Sequence, residues 1–156
     1  RRLLELVMSA RRKRLKKQKG RKPRALVVGA TAGIISALVK RGFRVFATDL
    51  SPGVSGLRLG GVKVESGRDA NTRRMKEADV AIITGMTLPN RTLLGLMEMA
   101  KKHNTSSIIW AISGHNCGQY YTENGVDCVI SDPSPFLLLP GPATMAIWLR
   151  KAPGTE

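Results

Sequence analysis

The chain has 156 residues, 42% of them apolar and only 4% aromatic, which fits one domain around one core of Val, Ile, Leu, Ala and Met. No apolar run approaches the ~20 residues of a membrane-spanning helix, the basic start lacks the apolar stretch of a secretory signal, and two cysteines, Cys117 and Cys128, cannot make a disulfide framework. A membrane span and a disulfide scaffold are thereby excluded, and a reducing cytoplasm is the expected location.

The net charge of +15 is unevenly spread: twelve of the 26 Lys and Arg but one of the eleven acids fall in residues 1–24. Residues 1–24 read as a basic leader with a short apolar cluster (Leu3, Leu4, Leu6, Val7, Met8), and residues 25–156 as the folded domain. Arg11, Arg12, Lys13, Arg14, Lys16 and Lys17 are too repulsive to pack together. They are the candidates for nucleic acid, held by counterion release without base reading, since the leader has no aromatic to stack on bases. A solvated tail or an inter-domain linker is the simpler reading of the same run.

From Ala25 the pattern changes to strands alternating with helices. Ala25–Val28 is an apolar run closed by Gly29, as in a strand buried on both faces. Gly33–Lys40 has helical spacing, with Ile34, Ile35, Leu38 and Val39 apolar. Phe43–Thr48 is the second strand, ending at Asp49, and Val62–Glu65 a short third. Asn71–Glu77 is a short helix, Asp79–Thr84 the fourth strand, and Thr92–Lys102 a helix whose Leu93, Leu94, Leu96, Met97 and Met99 are apolar. Ser107–Ile112 is the fifth strand. Tyr120–Asn124 is a helical turn stopped by Gly125, Asp127–Ser131 the sixth strand, and Ala143–Arg150 a last helix. Six strands in this rhythm predict a Rossmann-like, doubly wound, mainly parallel sheet in three α/β/α layers, with strand order 3-2-1-4-5-6.

Ligands of such sheets bind beyond the carboxyl ends of the strands, where helix N-termini offer free N–H groups. The strand ends supply Gly29, Ala30, Thr31 and Gly33; Asp49; Thr84, Gly85, Thr87, Asn90 and Thr92; Ser113 and His115; and Asp132. Gly29 does not begin a dinucleotide fingerprint, because Thr31 and Ile34 stand where glycines are required, although Asp49 lies where an acid would meet a ribose hydroxyl. Asp49 read as a simple loop cap is the alternative. The stretch Thr84–Thr92 concentrates hydroxyls, an amide and a helix start, more polar groups than helix capping alone explains. His115 and Cys117 are candidate metal ligands, with a structural role the simpler reading for both cysteines. His103, at a helix end, is a dipole partner. No P-loop, Ser-His-acid set or paired carboxylates occur.

The run Asp79–Thr92 resembles the "Putative heavy-metal chelation" family. Its pattern falls on Thr84, Gly85, Thr87, Leu88, Asn90 and Thr92, and Val28-Gly29, Asp49-Leu50-Ser51-Pro52, Gly125-Val126-Asp127 and Ser131-Asp132-Pro133 extend the likeness over 25–133. The resemblance implies the family's Rossmann-like C-terminal domain, and a small-molecule or metal ligand at the carboxyl edge. It also implies a site shared with an N-terminal α/β domain, for which this chain has only the leader. That partner is expected on another chain, outside this sequence, or lost, and a second copy of the chain is the other candidate partner. Ser113-Gly114-His115-Asn116-Cys117 departs from the glycine-proline turn that the family carries. Two other functions compete: an enzyme using a nucleotide-type cofactor, S-adenosylmethionine or NAD, at Gly29 and Asp49; and a nucleic-acid carrier acting through the leader.

Overall fold

The computed structural model describes residues 21–111, 117–131 and 146–150. Within them the chain runs β1 (Arg24–Val28), α1 (Ala32–Lys40), β2 (Arg44–Asp49), β3 (Arg58–Leu59), β4 (Val62–Ser66), α2 (Arg68–Glu77), β5 (Val80–Thr84), a 3-10 turn (Gly85–Thr87), α3 (Leu93–Lys102), β6 (Ser106–Trp110), α4 (Gly118–Glu123), β7 (Cys128–Ser131) and β8 (Ala146–Leu149).

These strands form one eight-stranded sheet in the order β3-β4-β2-β1-β5-β6-β7-β8. Its six central strands are parallel, and their order is the predicted 3-2-1-4-5-6, so the fold is Rossmann-like. Each flank adds one antiparallel strand. β3 pairs Arg58 with Lys63 across the turn at Gly60 and Gly61, and β8 pairs Trp148 with Val129.

The β8 strand corrects the expected helix at Ala143–Arg150. Apolar residues at 146–149 suit either element over so short a run, and the open edge of β7 decides. Its unpaired backbone groups need partners, and Ala146–Leu149 supplies them.

Side chains alternate across the sheet. Ala25 and Val27 join Ile34, Ile35 and Leu38 of α1 on one face, while Leu26 and Val28 join Met75, Leu93, Leu96 and Tyr121 of α2, α3 and α4 on the other. Both faces are buried, which is why these strands read as continuous apolar runs. Leu26, Ile35 and Leu38 are wholly buried, each burial stabilising the fold by about 1.5–3 kcal/mol.

Carboxylates pin the amino ends of the strands. Asp79 accepts the Arg24 N–H at 2.8 Å and pairs with the Arg21 guanidinium at 2.5 Å. Asp127 likewise accepts the Ser107 N–H at 2.9 Å and pairs with Arg150. The end of the basic leader is thus tied to the domain at Arg21, and Arg24 already lies in β1.

Candidate functional site

The strand order turns back between the parallel neighbours β1 and β5, the switch point of the sheet, and their carboxyl ends open a crevice there. Gly29 follows β1 at φ +81°, a conformation that favours glycine. Its N–H donates to the Thr48 carbonyl at 2.9 Å, tying the exit of β1 to β2. A Cβ at Gly29 would lie 1.9 Å from Thr84 Oγ1, so β5 and the first loop touch where a larger residue could not fit.

Asp49 closes that loop. One carboxylate oxygen accepts the Ala30 N–H at 2.9 Å, and the other accepts the Ser51 N–H at 2.8 Å. The first amide after Gly29, which a dinucleotide loop would offer to a phosphate, is already engaged here. Thr31 caps α1 through its backbone alone, its hydroxyl donating instead to the Gly29 carbonyl at 3.3 Å, and Gly33 sits in the first turn of α1 with open space around it.

Thr87 is buried and its hydroxyl donates to the Thr84 carbonyl at 2.8 Å, closing the 3-10 turn. The Thr87 carbonyl then accepts the Thr92 N–H at 3.0 Å. This leaves Arg91 at φ +52°, an uncommon conformation for a residue with a side chain. Thr84 Oγ1 itself is buried without a hydrogen-bond partner.

A small cavity of about 20 Å³ lies over these residues, lined by Gly29, Asp49, Asn71, Thr87, Asn90 and Thr92, with Leu50 and Met86 at its rim. The fold therefore brings together five of the residues expected from the strand ends, from three separate loops. Thr84 stands beneath Gly29, whereas Ala30, Thr31, Gly33 and Gly85 are outside the lining. Ser113, His115 and Asp132 lie outside the described residues, as do Arg11, Arg12, Lys13, Arg14, Lys16 and Lys17.

A wider groove of about 270 Å³ continues from the cavity between α2 and α3. Arg68, Asn71, Thr72, Arg91, Thr92 and Gly95 line it, over a floor of Leu96 and Met99. Asn71 and Thr92 belong to both spaces. Asn71 is 4% exposed, and its Oδ1 accepts the Thr48 hydroxyl at 2.5 Å. Arg68 and Asn71 follow β4, the one parallel strand whose exit the strand-end reading leaves out. The signal was Gly67, at φ +89°, between a strand and a helix.

Among the described residues no three His, Cys, Asp or Glu side chains gather to hold an ion. The crevice offers one carboxylate, Asp49, whose two oxygens each accept a backbone N–H, and the groove beside it carries two arginines. The lining of the crevice and groove does not suit a cation, and of the candidate pair His115 and Cys117 only Cys117 is among the described residues. Cys117 is exposed and Cys128 buried, and burial pushes the Cys128 thiol up to about 11. Tyr121 is also raised, by burial first and then by Cys117 beside it. His103 is the C-cap of α3, its N–H bonded to the Met99 carbonyl at 3.0 Å.

Comparison with known proteins agrees with this architecture. The sequence pattern of DUF364, described as "Putative heavy-metal chelation", matches residues 14–129. A DUF364 protein of unknown function from Pyrococcus horikoshii superposes with a TM-score of 0.56 at 18% identity, covering 70% of this chain and 41% of its own. Another, from Desulfitobacterium hafniense DCB-2, gives 0.55 at 13% identity, covering 82% and 53%. An imine reductase variant from Myxococcus stipitatus in complex with NAD+ gives 0.50 at 12% identity, covering 81% and 46%. The chain thus spans about half the length of these solved structures. No curated protein matches the sequence. No described helix is long and apolar enough to cross a membrane.

Proposed function

The chain belongs to the DUF364 family, described as "Putative heavy-metal chelation", and from that premise we propose that it is a binding module for a small polar ligand, seated in the crevice at the carboxyl ends of β1 and β5. One observation carries this reading: Gly29, Asp49, Asn71, Thr87, Asn90 and Thr92, far apart in sequence, converge at the switch point of the sheet, where the small cavity they line opens into the groove of about 270 Å³ and where ligands of open α/β sheets bind. Asn90 and Asn71 supply the amides that orient the ligand. Gly29 lets its backbone come close, and Leu50 and Met86 cover the rim.

The engagement of the Ala30 N–H by Asp49 weighs against pyrophosphate on the first loop, and so against the competing reading as a dinucleotide enzyme. Asp49 acts here as the loop's own fastener.

Native mass spectrometry combined with elemental analysis, on protein purified without chelators or affinity metals, tests the proposal. A bound organic species that Asn90→Ala releases while the fold persists is the expected outcome. A stoichiometric transition metal with no organic species, or a ligand retained equally by Asn90→Ala, would overturn it.

A further inference from the structure

We propose that the groove between α2 and α3 is an anion subsite for a phosphoryl group, held by Arg68 and Arg91. The proposal deepens the crevice reading, on which it rests, by giving the ligand its charged end; the two are separable because Arg68 and Arg91 line the groove but not the small cavity.

Four observations converge. First, Arg68 and Arg91, like Arg24, Arg41, Arg44 and Arg58, have no salt bridge to an acid among the described residues, and these two alone of that set line the same groove. Second, no acid lines the groove. Asp69, in the first turn of α2, is absent from the lining, so two guanidinium groups stand uncompensated on one concave surface. Third, α2 and α3 both begin there, ten residues each, and neither has a side-chain cap on its N-terminus. Their first-turn N–H groups and dipoles favour negative charge, and Gly95 keeps the first turn of α3 open to the groove.

The fourth observation points to a ligand independently of helix ends. Asn71 is almost wholly buried, yet it lines the groove. Its Oδ1 is taken by Thr48, and Nδ2 donates to no described group. The Nδ2 end is therefore what Asn71 offers to the groove, and an oxyanion there would accept from it. Thr72 and Thr92 add hydroxyls on either side.

A phosphoryl dianion fits this set better than a single carboxylate. Paired guanidinium groups and helix N-termini suit a group with three acceptor oxygens and two charges. At about 270 Å³ the groove approaches the size of small-molecule pockets.

The test is calorimetric titration of the full chain at constant ionic strength, with inorganic phosphate and with glycerol 3-phosphate as a simple phosphomonoester, against a chloride blank. Both phosphates are expected to bind. Each of Arg68→Gln and Arg91→Gln should weaken binding at least about tenfold, the loss of one charge-assisted donor to the anion. Tighter binding of the ester would identify the ligand as an organic phosphate, and equal binding a free phosphate; either supports the subsite. Arg58→Gln, on the β3 edge and outside both the cavity and the groove, should leave phosphate affinity unchanged, and the native mass spectra of Asn90→Ala report failure of the crevice reading separately. Both arginine variants are surface changes, and circular dichroism confirms their fold. No heat above the chloride blank, or binding that survives Arg68→Gln combined with Arg91→Gln and therefore belongs to the basic leader, would overturn the proposal.

Discussion

Thr84 Oγ1 lies where a Cβ on Gly29 would have to be, 1.9 Å from that position. The exits of β1 and β5 are therefore in direct contact, and the contact specifies glycine twice: by the room it leaves and by φ +81°. Gly29→Ala should destabilise the fold by about 2–4 kcal/mol, combining left-handed strain with overpacking. Denaturant unfolding measures it, and a loss within experimental scatter would mean the two strand exits lie farther apart.

The hydroxyl of Thr84 is buried without a partner. Replacing such a group by an apolar one of the same shape is neutral or stabilising, so Thr84→Val should change stability by between zero and about +1 kcal/mol. If the hydroxyl is kept for the ligand, the same variant should retain less of it, the usual exchange of stability for function. Thermal melts and native mass spectrometry on one sample check both halves.

Cys128 is 4% exposed, and burial holds its thiol near 11 against an ordinary value of 9.0. The native state then binds this proton more tightly than the unfolded chain does. Its contribution is complete below about 9 and is lost as the pH rises through about 11, by at most about 3 kcal/mol. Cys128→Ala should flatten that alkaline limb of stability against pH. At pH 8 a thiol reagent should label the exposed Cys117 and reach Cys128 only after unfolding; two labels in the native protein would contradict the burial.

Gly118, at the start of α4, faces the Trp148 ring of β8, and a Cβ there would come within 2.2 Å of it. Gly118→Ala should displace the ring, costing about 1–3 kcal/mol, and red-shift its fluorescence. In a Trp110→Phe background the signal is Trp148 alone. An unchanged spectrum would mean that β8 does not dock on α4.

The sequence by itself determined the centre of the fold. Strands buried on both faces must be continuous apolar runs, and the helices between them must show helical spacing, so Ala25–Val28, Asp79–Thr84 and their neighbours were legible along with their order. Glycine and polar residues at strand ends also marked Gly29, Asp49, Thr87, Asn90 and Thr92 before any contact was known. The tertiary structure alone decided the rest. Ala146–Leu149 became a strand because the edge of β7 offered it hydrogen bonds, a fact about a distant segment. Asp49 stood at a strand end in the sequence, but its hold on the Ala30 and Ser51 amides depends on how the first and second loops meet. The meeting of Arg68 with Arg91 depends on how α2 and α3 lie side by side on the sheet. Local pattern records which face of an element is buried; it carries no record of which two helix ends will face each other across a groove.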